Sequence, residues 1–119
     1  MNFDLTKEQE ALRQRVRDFA EQEIKPVARQ NDENQHFDVE LTLKMGELGL
    51  LGMTVPKEYG GQGLDNLSYI IAVEELARVD GSTAATIAAD NSLGIGPIQD
   101  YGNEEQKRKY LPQLCKDRL

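Results

Sequence analysis

Apolar residues recur every three or four positions along most of this chain, and that spacing constrains the fold more than any other feature. The first such stretch contains Leu12, Val16, Phe19, Ala20 and Val27. This spacing places the apolar side chains on one face of a helix. No stretch of comparable length alternates between apolar and polar residues, as a half-buried strand would. The sequence therefore predicts an all-α fold, a bundle of about five helical segments.

Capping signals mark where several of these helices begin. Thr6 and Gln9 have the spacing of a capping box, in which each side chain bonds the backbone amide of the other residue. Asn103 and Gln106 repeat that spacing near the carboxy-terminal end. Asp38 is a candidate N-cap for a short helix between these two. The caps and the apolar spacing agree, which supports the helical prediction.

Proline and glycine predict where the helices are interrupted. Pro26 lies inside the first helical pattern and Pro97 inside the fourth, so each is expected to kink or break its helix. Residues 50–65 contain Pro56 and four glycines, which favours an ordered loop. A third helix is expected from about residue 66 to 79.

The fourth helix is almost free of charge. Asp80 or Ser82 would cap its start, and between Gly81 and Gln99 only Asp90 is charged. A helix that is apolar all round is usually buried. The sequence therefore predicts that this helix is buried on most of its sides.

Composition argues against several classes of partner. The 119 residues carry a formal net charge of −7, which disfavours nucleic acid and anionic membrane surfaces. The 39% hydrophobic content is enough for one folded domain. No apolar run has the length of a membrane span, and the first residues resemble neither a signal peptide nor a transit peptide. A bacterial cytoplasmic protein is expected, or a mitochondrial matrix protein if the chain is a processed eukaryotic one.

Few residues suggest chemistry, and a structural role is the preferred interpretation of each. Gly60-Gly61-Gln62-Gly63 precedes a helix and could cradle a phosphate, but a tight loop with positive φ is favoured. His36 has no nucleophile at motif spacing, and Cys115 is interpreted as helix-end packing. One cysteine and one histidine do not make the usual zinc shell, so no metal is expected. Glu74-Glu75 and Glu104-Glu105 indicate solvated faces or capping charges.

One face of the fourth helix is the candidate binding surface. Ala85, Thr86, Ala89 and Leu93 fall within an arc of about 100° at helical spacing. Small residues on such a face usually permit close helix packing, and they could also leave a slot for a thin apolar ligand. On the residue pattern alone, packing is the preferred interpretation.

Short motifs occur in a defined order over nearly the whole chain. They are Val16-Arg17-Asp18-Phe19-Ala20, Met45-Gly46-Glu47-Leu48-Gly49, Val55-Pro56-Lys57-Glu58-Tyr59-Gly60-Gly61, Asn91-Ser92-Leu93-Gly94 and Tyr101-Gly102-Asn103-Glu104-Glu105-Gln106-Lys107. Together they resemble the amino-terminal helical domain of the acyl-CoA dehydrogenase family of flavoenzymes. The resemblance implies that residues 1–119 are this domain, and that the middle β domain and carboxy-terminal helical domain are absent from the chain.

The resemblance also implies an activity in fatty acid β-oxidation. Family enzymes oxidise the Cα–Cβ bond of acyl-CoA: a carboxylate takes the α-proton, and the β-hydride passes to the flavin N5 of FAD. Electrons then go to an electron-transfer flavoprotein. The flavin and the catalytic glutamate lie largely in the other two domains. No catalytic residue is therefore expected in this chain, which alone should be inactive and bind no FAD tightly. A homo-oligomer is expected.

Carried over position by position, the resemblance assigns Ala85, Thr86, Ala89 and Leu93 to one wall of the acyl pocket. The resemblance thereby favours a ligand slot over close helix packing as the role of this face. Two alternatives remain open. One is a relative with other flavin chemistry, such as an acyl-CoA oxidase, nitroalkane oxidase or monooxygenase. The other is a non-enzymatic helical interaction domain.

Overall fold

The structure, a computed structural model, describes residues 1–116 and contains no strand within them. Its α-helices are α1 (Lys7–Phe19), α2 (Lys25–Glu33), α3 (Val39–Glu47), α4 (Asn66–Ala77), α5 (Gly81–Ala89), α6 (Ile95–Tyr101) and α7 (Glu104–Leu114). Two π-helical turns, Ala20–Ile24 and Asp90–Gly94, join α1 to α2 and α5 to α6 without a break. The described residues therefore form five continuous helices, and a 3₁₀ turn covers Lys57–Tyr59. The all-α prediction is confirmed.

The predicted N-caps are present. Gln9 donates its amide to Thr6 Oγ1 at 3.1 Å, and the Thr6 amide bonds Gln9 Oε1 at 2.9 Å. The same reciprocal pair joins Asn103 and Gln106 at 2.9 and 3.0 Å. Asp38 caps α3 by accepting the amide of the third residue that follows it. Local sequence alone therefore determines where these helices start.

Of the two candidate caps for α5, the structure uses Asp80. Its carboxylate accepts the backbone amide of Thr83 at 3.0 Å, and the helix begins at Gly81. A carboxylate also interacts favourably with the positive end of the helix dipole. Ser82 instead lies inside the first turn of the helix.

Each proline in the two long helices comes after a π-helical turn. Pro26 lies just beyond the turn Ala20–Ile24, and Pro97 lies shortly after the turn Asp90–Gly94. Proline has no amide hydrogen, and its ring crowds the carbonyl four residues earlier. A π-helical turn is wider than an α-helical turn and can relieve that clash. The predicted interruptions at both prolines therefore occur as local changes of hydrogen bonding within continuous helices. Pro112 lies within α7, which continues to Leu114.

Two apolar clusters form the core. The larger one packs α1, the π-helical turn Ala20–Ile24 and α3 against α4, α5 and the start of the loop after α3. The smaller one lies under α6 and α7. The larger includes Leu12, Val16, Ala20, Ile24, Leu41, Met45, Leu50, Leu51, Met53, Ala72, Leu76, Ala84 and Ile87. The smaller contains Val55, Tyr59, Ile95, Leu111 and Cys115. The loop contributes to both clusters, so it is part of the core and not a peripheral connection.

Glu75 is buried, which corrects the prediction of a solvated carboxylate. Only 4% of the residue is exposed. Arg17 of α1 donates from Nε and Nη2 to its two oxygens at 2.9 Å each. Arg78 donates to it at 3.4 Å, and Arg13 Nε lies 3.7 Å away. Hydrogen bonds and charge from Arg17, and then from Arg78, hold the pKa of the Glu75 carboxyl below its ordinary value. The Arg17–Glu75 ion pair ties α1 to α4. An unpaired charge buried at this site would be costly.

We expect Glu75→Gln to lower the free energy of unfolding by about 2 kcal/mol, because hydrogen bonds to charged groups contribute roughly 1.5–3 kcal/mol. Urea denaturation of the two proteins measures the difference. Glu74→Gln is the matched control, since Glu74 is exposed on the same helix and should change stability by less than about 0.5 kcal/mol. Equal effects of the two substitutions would contradict a role for the Glu75 cluster.

The difference between wild type and Glu75→Gln should also depend on pH. A carboxyl whose folded pKa is lowered stabilises the fold above its unfolded value of about 4.3. That stabilisation is lost as the pH falls through the folded pKa. The two stability curves should therefore be well separated at pH 7 and converge in acid.

Candidate functional site

The predicted site residues lie on the outside of the domain. Ala85 and Ala89 are exposed, and Leu93 is 76% exposed. The prediction that this helix is buried on most of its sides is therefore wrong for the described residues. Only the opposite row is buried, where Ile87 and Ile95 are fully covered. The uncharged face of this helix is therefore a surface that no other described part of the domain covers.

Thr86 lies at the edge of this face. It is half-buried, and its Oγ1 donates to the Ser82 carbonyl at 3.2 Å. It also lines a groove of about 320 Å³ that extends beneath His36 and Asp38 towards α3. Ala85, Ala89 and Leu93 do not line that groove. The structure therefore places three of the four residues on an open surface and the fourth at the rim of a groove lined by both polar and apolar residues.

Leu93 follows a different helical geometry from the other three residues. It lies in the π-helical turn Asp90–Gly94, whereas Ala85 and Ala89 lie in α5. Ala85 and Ala89 are four residues apart in an α-helix and therefore adjoin on one face. The π-helical turn uses one extra residue, so Leu93 does not follow the α-helical angle on which the predicted arc was based.

Sequence reasoning missed Asn91, which fixes this helix to the loop. Its Oδ1 accepts the Met53 amide at 2.8 Å, and its Nδ2 donates to the Leu50 carbonyl at 3.0 Å. A further bond joins Nδ2 to the Ile87 carbonyl at 3.0 Å. The sequence contained a sign that Asn91 is buried, because it falls four residues after Ile87 and four before Ile95.

The glycine-rich loop is closed on itself and does not fit a phosphate. The amides of Gly61 and Gly63 bond the carbonyls of Pro56 and Val55 at 3.2 and 2.8 Å. A Cβ placed on Gly61 would lie 2.2 Å from the Val55 carbonyl oxygen. Gly63 has a φ of 64°, which favours glycine. These glycines serve a tight backbone turn, which was the preferred interpretation, and their amides are not available to a ligand.

The remaining candidate groups have structural surroundings. Cys115 is buried and packs so closely on Gly52 that a Cβ there would lie 2.2 Å from its Sγ. Burial raises the pKa of the Cys115 thiol to about 11, which suits packing and not nucleophilic attack. His36 is exposed. Among residues 1–116, no group of three potential metal ligands comes together. Within the same residues, no helix is both long enough and apolar enough to span a membrane.

Glu104 has a partner that the sequence did not indicate. It lies in the first turn of α7, as a capping charge would. The Tyr59 hydroxyl also donates to it at 2.7 Å. The guanidinium of Arg108 lies 5.3 Å from the centre of the Tyr59 ring. This contact fastens the 3₁₀ turn to the last helix, and it holds the far end of the loop in place.

Residues 6–118 match the sequence profile described as acyl-CoA dehydrogenase, N-terminal domain. The match covers most of the chain. The all-α fold and the order of the short sequence motifs agree with it. This chain therefore belongs to the acyl-CoA dehydrogenase family.

Curated proteins resemble the chain in sequence, and solved structures resemble it in both sequence and fold. The short-chain specific acyl-CoA dehydrogenase of Clostridium acetobutylicum is 53% identical over 98% of this chain and 31% of that protein. Butyryl-CoA dehydrogenase from Megasphaera elsdenii matches with a TM-score of 0.90 and 39% identity, over 98% of this chain and 31% of that one. A chain in a structure of the electron transferring flavoprotein of Acidaminococcus fermentans matches with a TM-score of 0.94 and 45% identity, over 98% of this chain and 30% of that one. The chain thus spans about a third of the length of these relatives.

We expect Cys115 to resist alkylation in the folded protein. With a thiol pKa of about 11, only about one molecule in a thousand carries the thiolate at pH 8. Iodoacetamide should therefore leave the native chain unlabelled and label it fully in urea, as mass spectrometry would show. Rapid labelling under native conditions would mean that the thiol is accessible and not packed against Gly52.

Proposed function

We propose that this chain is the amino-terminal domain of an FAD-dependent acyl-CoA dehydrogenase. We further propose that Ala85, Thr86, Ala89 and Leu93 form one wall of its acyl pocket. Membership of the family supports the first part. The observation that carries the second is the exposed, uncharged, small-residue face of α5, which no described part of the domain covers.

The chemistry of this face suits an alkyl chain. An acyl tail offers no hydrogen bonds, so its binding comes from burying methylene groups at about 0.8 kcal/mol each. Alanine at 85 and 89 leaves room beside the helix backbone, and none of the four wall residues carries a charge that would have to be desolvated. The names of two relatives, short-chain specific acyl-CoA dehydrogenase and butyryl-CoA dehydrogenase, support short acyl-CoA thioesters as the substrate class.

In this proposal the domain binds and orients the acyl tail and excludes water from it. FAD supplies the hydride acceptor when bound to the whole enzyme, and we assign neither FAD contacts nor the catalytic base to the described residues. The net charge of −7 disfavours this domain as the seat of the CoA phosphates. The middle β domain and carboxy-terminal helical domain would supply those groups.

The proposed enzyme would be a homo-oligomer in the bacterial cytoplasm or the mitochondrial matrix, and it would reduce an electron-transfer flavoprotein. Large apolar side chains remain exposed on α4 as well as near α5. Leu67 is 49% and Ile70 is 54% exposed. Exposed apolar surface of this kind supports contacts with further domains or subunits.

Substitution of Ala89 by leucine tests the pocket wall. In the full-length enzyme we expect Ala89→Leu to lower kcat/KM about fourfold for each acyl methylene that no longer fits, since burying one methylene contributes about 0.8 kcal/mol. The shortest substrates should be little affected. A series of acyl-CoA chain lengths measures the effect.

Ala77→Leu is the matched control, because Ala77 is also exposed but lies at the end of α4. It should leave the chain-length profile unchanged. Melting temperatures of both variants should stay close to that of wild type, because neither alanine is packed in the domain core. An equal loss for every chain length, together with a large drop in melting temperature, would mean that Ala89 lies in a packing seam and would remove it from the site.

We expect the 119-residue chain alone to be colourless and inactive, because the proposal places the flavin contacts and the base in other domains. Absorbance near 450 nm after incubation with FAD and gel filtration measures cofactor retention. An acyl-CoA dehydrogenation assay on the same sample measures activity. A yellow protein with stoichiometric flavin would show that the cofactor site lies in this domain.

A further inference from the structure

Asn91 is the buried residue of a turn whose last three residues face outward. It is 6% exposed, whereas Ser92, Leu93 and Gly94 are all exposed. Its side chain reaches inward to the backbone of the loop after α3, at the Met53 amide and the Leu50 carbonyl. The Asn91 side chain therefore connects the π-helical turn to the core of the domain.

The amide group of Asn91 is fully used. Its Nδ2 carries two hydrogens, and it donates one to Leu50 and the other to Ile87 at 3.0 Å each. Its oxygen takes the Met53 amide at 2.8 Å. Leu50 and Met53 are 0% exposed, so water cannot replace these bonds. The geometry of the amide allows no other side chain of this size to make all three bonds.

Pro97 acts on the other end of the same turn. It has no amide hydrogen to offer the Leu93 carbonyl four residues earlier, as an α-helix would require. The π-helical turn uses one residue more than an α-helical turn, so it rotates α6 relative to α5. The orientation of Leu93 relative to Ala89 therefore depends on this turn being kept.

We propose that Asn91 is a positioning residue for the acyl pocket. By fixing the π-helical turn to the loop at Leu50 and Met53, it sets where Ala89 and Leu93 stand on the pocket wall, and Pro97 keeps the turn from reverting to an α-helix. This inference rests on the proposed function of that wall. Discrimination between acyl chains is then set in part by a buried amide that does not touch the substrate.

Asn91→Ser in the full-length enzyme tests this role. A serine hydroxyl can still bond the Ile87 carbonyl four residues back, but both bonds to the loop are lost. We expect discrimination between acyl-CoA substrates that differ by one methylene to fall by up to about fourfold, the value of burying that group. KM should change more than kcat, because the substitution acts on tail binding.

Gln9→Ala is the stability control. Gln9 is also buried and hydrogen-bonded, but it lies in the capping box at the start of α1. Its substitution should lower the melting temperature and leave chain-length discrimination as in wild type. A uniform loss of kcat/KM in Asn91→Ser at all chain lengths, as in Gln9→Ala, would overturn the inference.

Pro97→Ala is a second variant that should fold, because Pro97 is exposed and alanine favours helix. It restores an amide hydrogen, and we expect altered chain-length discrimination with an unchanged or higher melting temperature. Wild-type discrimination in this variant would overturn the inference.

The three variants together distinguish this inference from the proposed function. If Ala89→Leu changes the chain-length profile while Asn91→Ser and Pro97→Ala do not, this inference alone fails. If Ala89→Leu also has no effect, the proposed pocket wall fails with it.

Discussion

A buried, irregular loop must have its backbone polar groups bonded, and this requirement organises the domain. Leu50, Leu51 and Met53 are core residues, yet they lie in no helix that could satisfy their amides and carbonyls. Glycine turns supply some of the bonds. Asn91 supplies two more, and Gln99 donates to the Thr54 carbonyl at 3.3 Å. The long helix from α5 to α6 is therefore held in place by its polar side chains as well as by its apolar ones.

The helices themselves were predictable because their determinants are local. Capping boxes at Thr6 and Asn103 and the prolines act within a few residues, so their effects can be inferred without knowing the tertiary packing. Burial of Glu75 was not inferred, because it depends on α1 lying against α4 with Arg17 opposite. The position of Glu75, seven residues after the buried Ser68 and three after Ala72, was the available sign.

The candidate surface was inferred through the resemblance, and the residue pattern alone favoured the wrong environment for it. An uncharged helix suggested burial within the domain, but Ala85 and Ala89 face outward. Low charge indicates that a surface is suited to being covered in the functioning protein. It does not indicate which part of the protein covers that surface. The chain spans about a third of the length of its relatives. Its residue pattern therefore does not distinguish a surface covered within the domain from one covered by another part of the protein.

The two π-helical turns show how one backbone device can serve different surfaces. The turn at Ala20–Ile24 carries Glu21 and Glu23, whose carboxylates accept hydrogen bonds from Arg78 and Lys44 at 2.6 and 3.0 Å near solvent. Its widened geometry needs only to accommodate the proline after it. The turn at Asp90–Gly94 carries one charged residue, Asp90, followed by four uncharged ones, and it is anchored by an inward amide. A turn that only accommodates proline needs no such anchor, so the buried asparagine indicates that the position of the second turn itself matters.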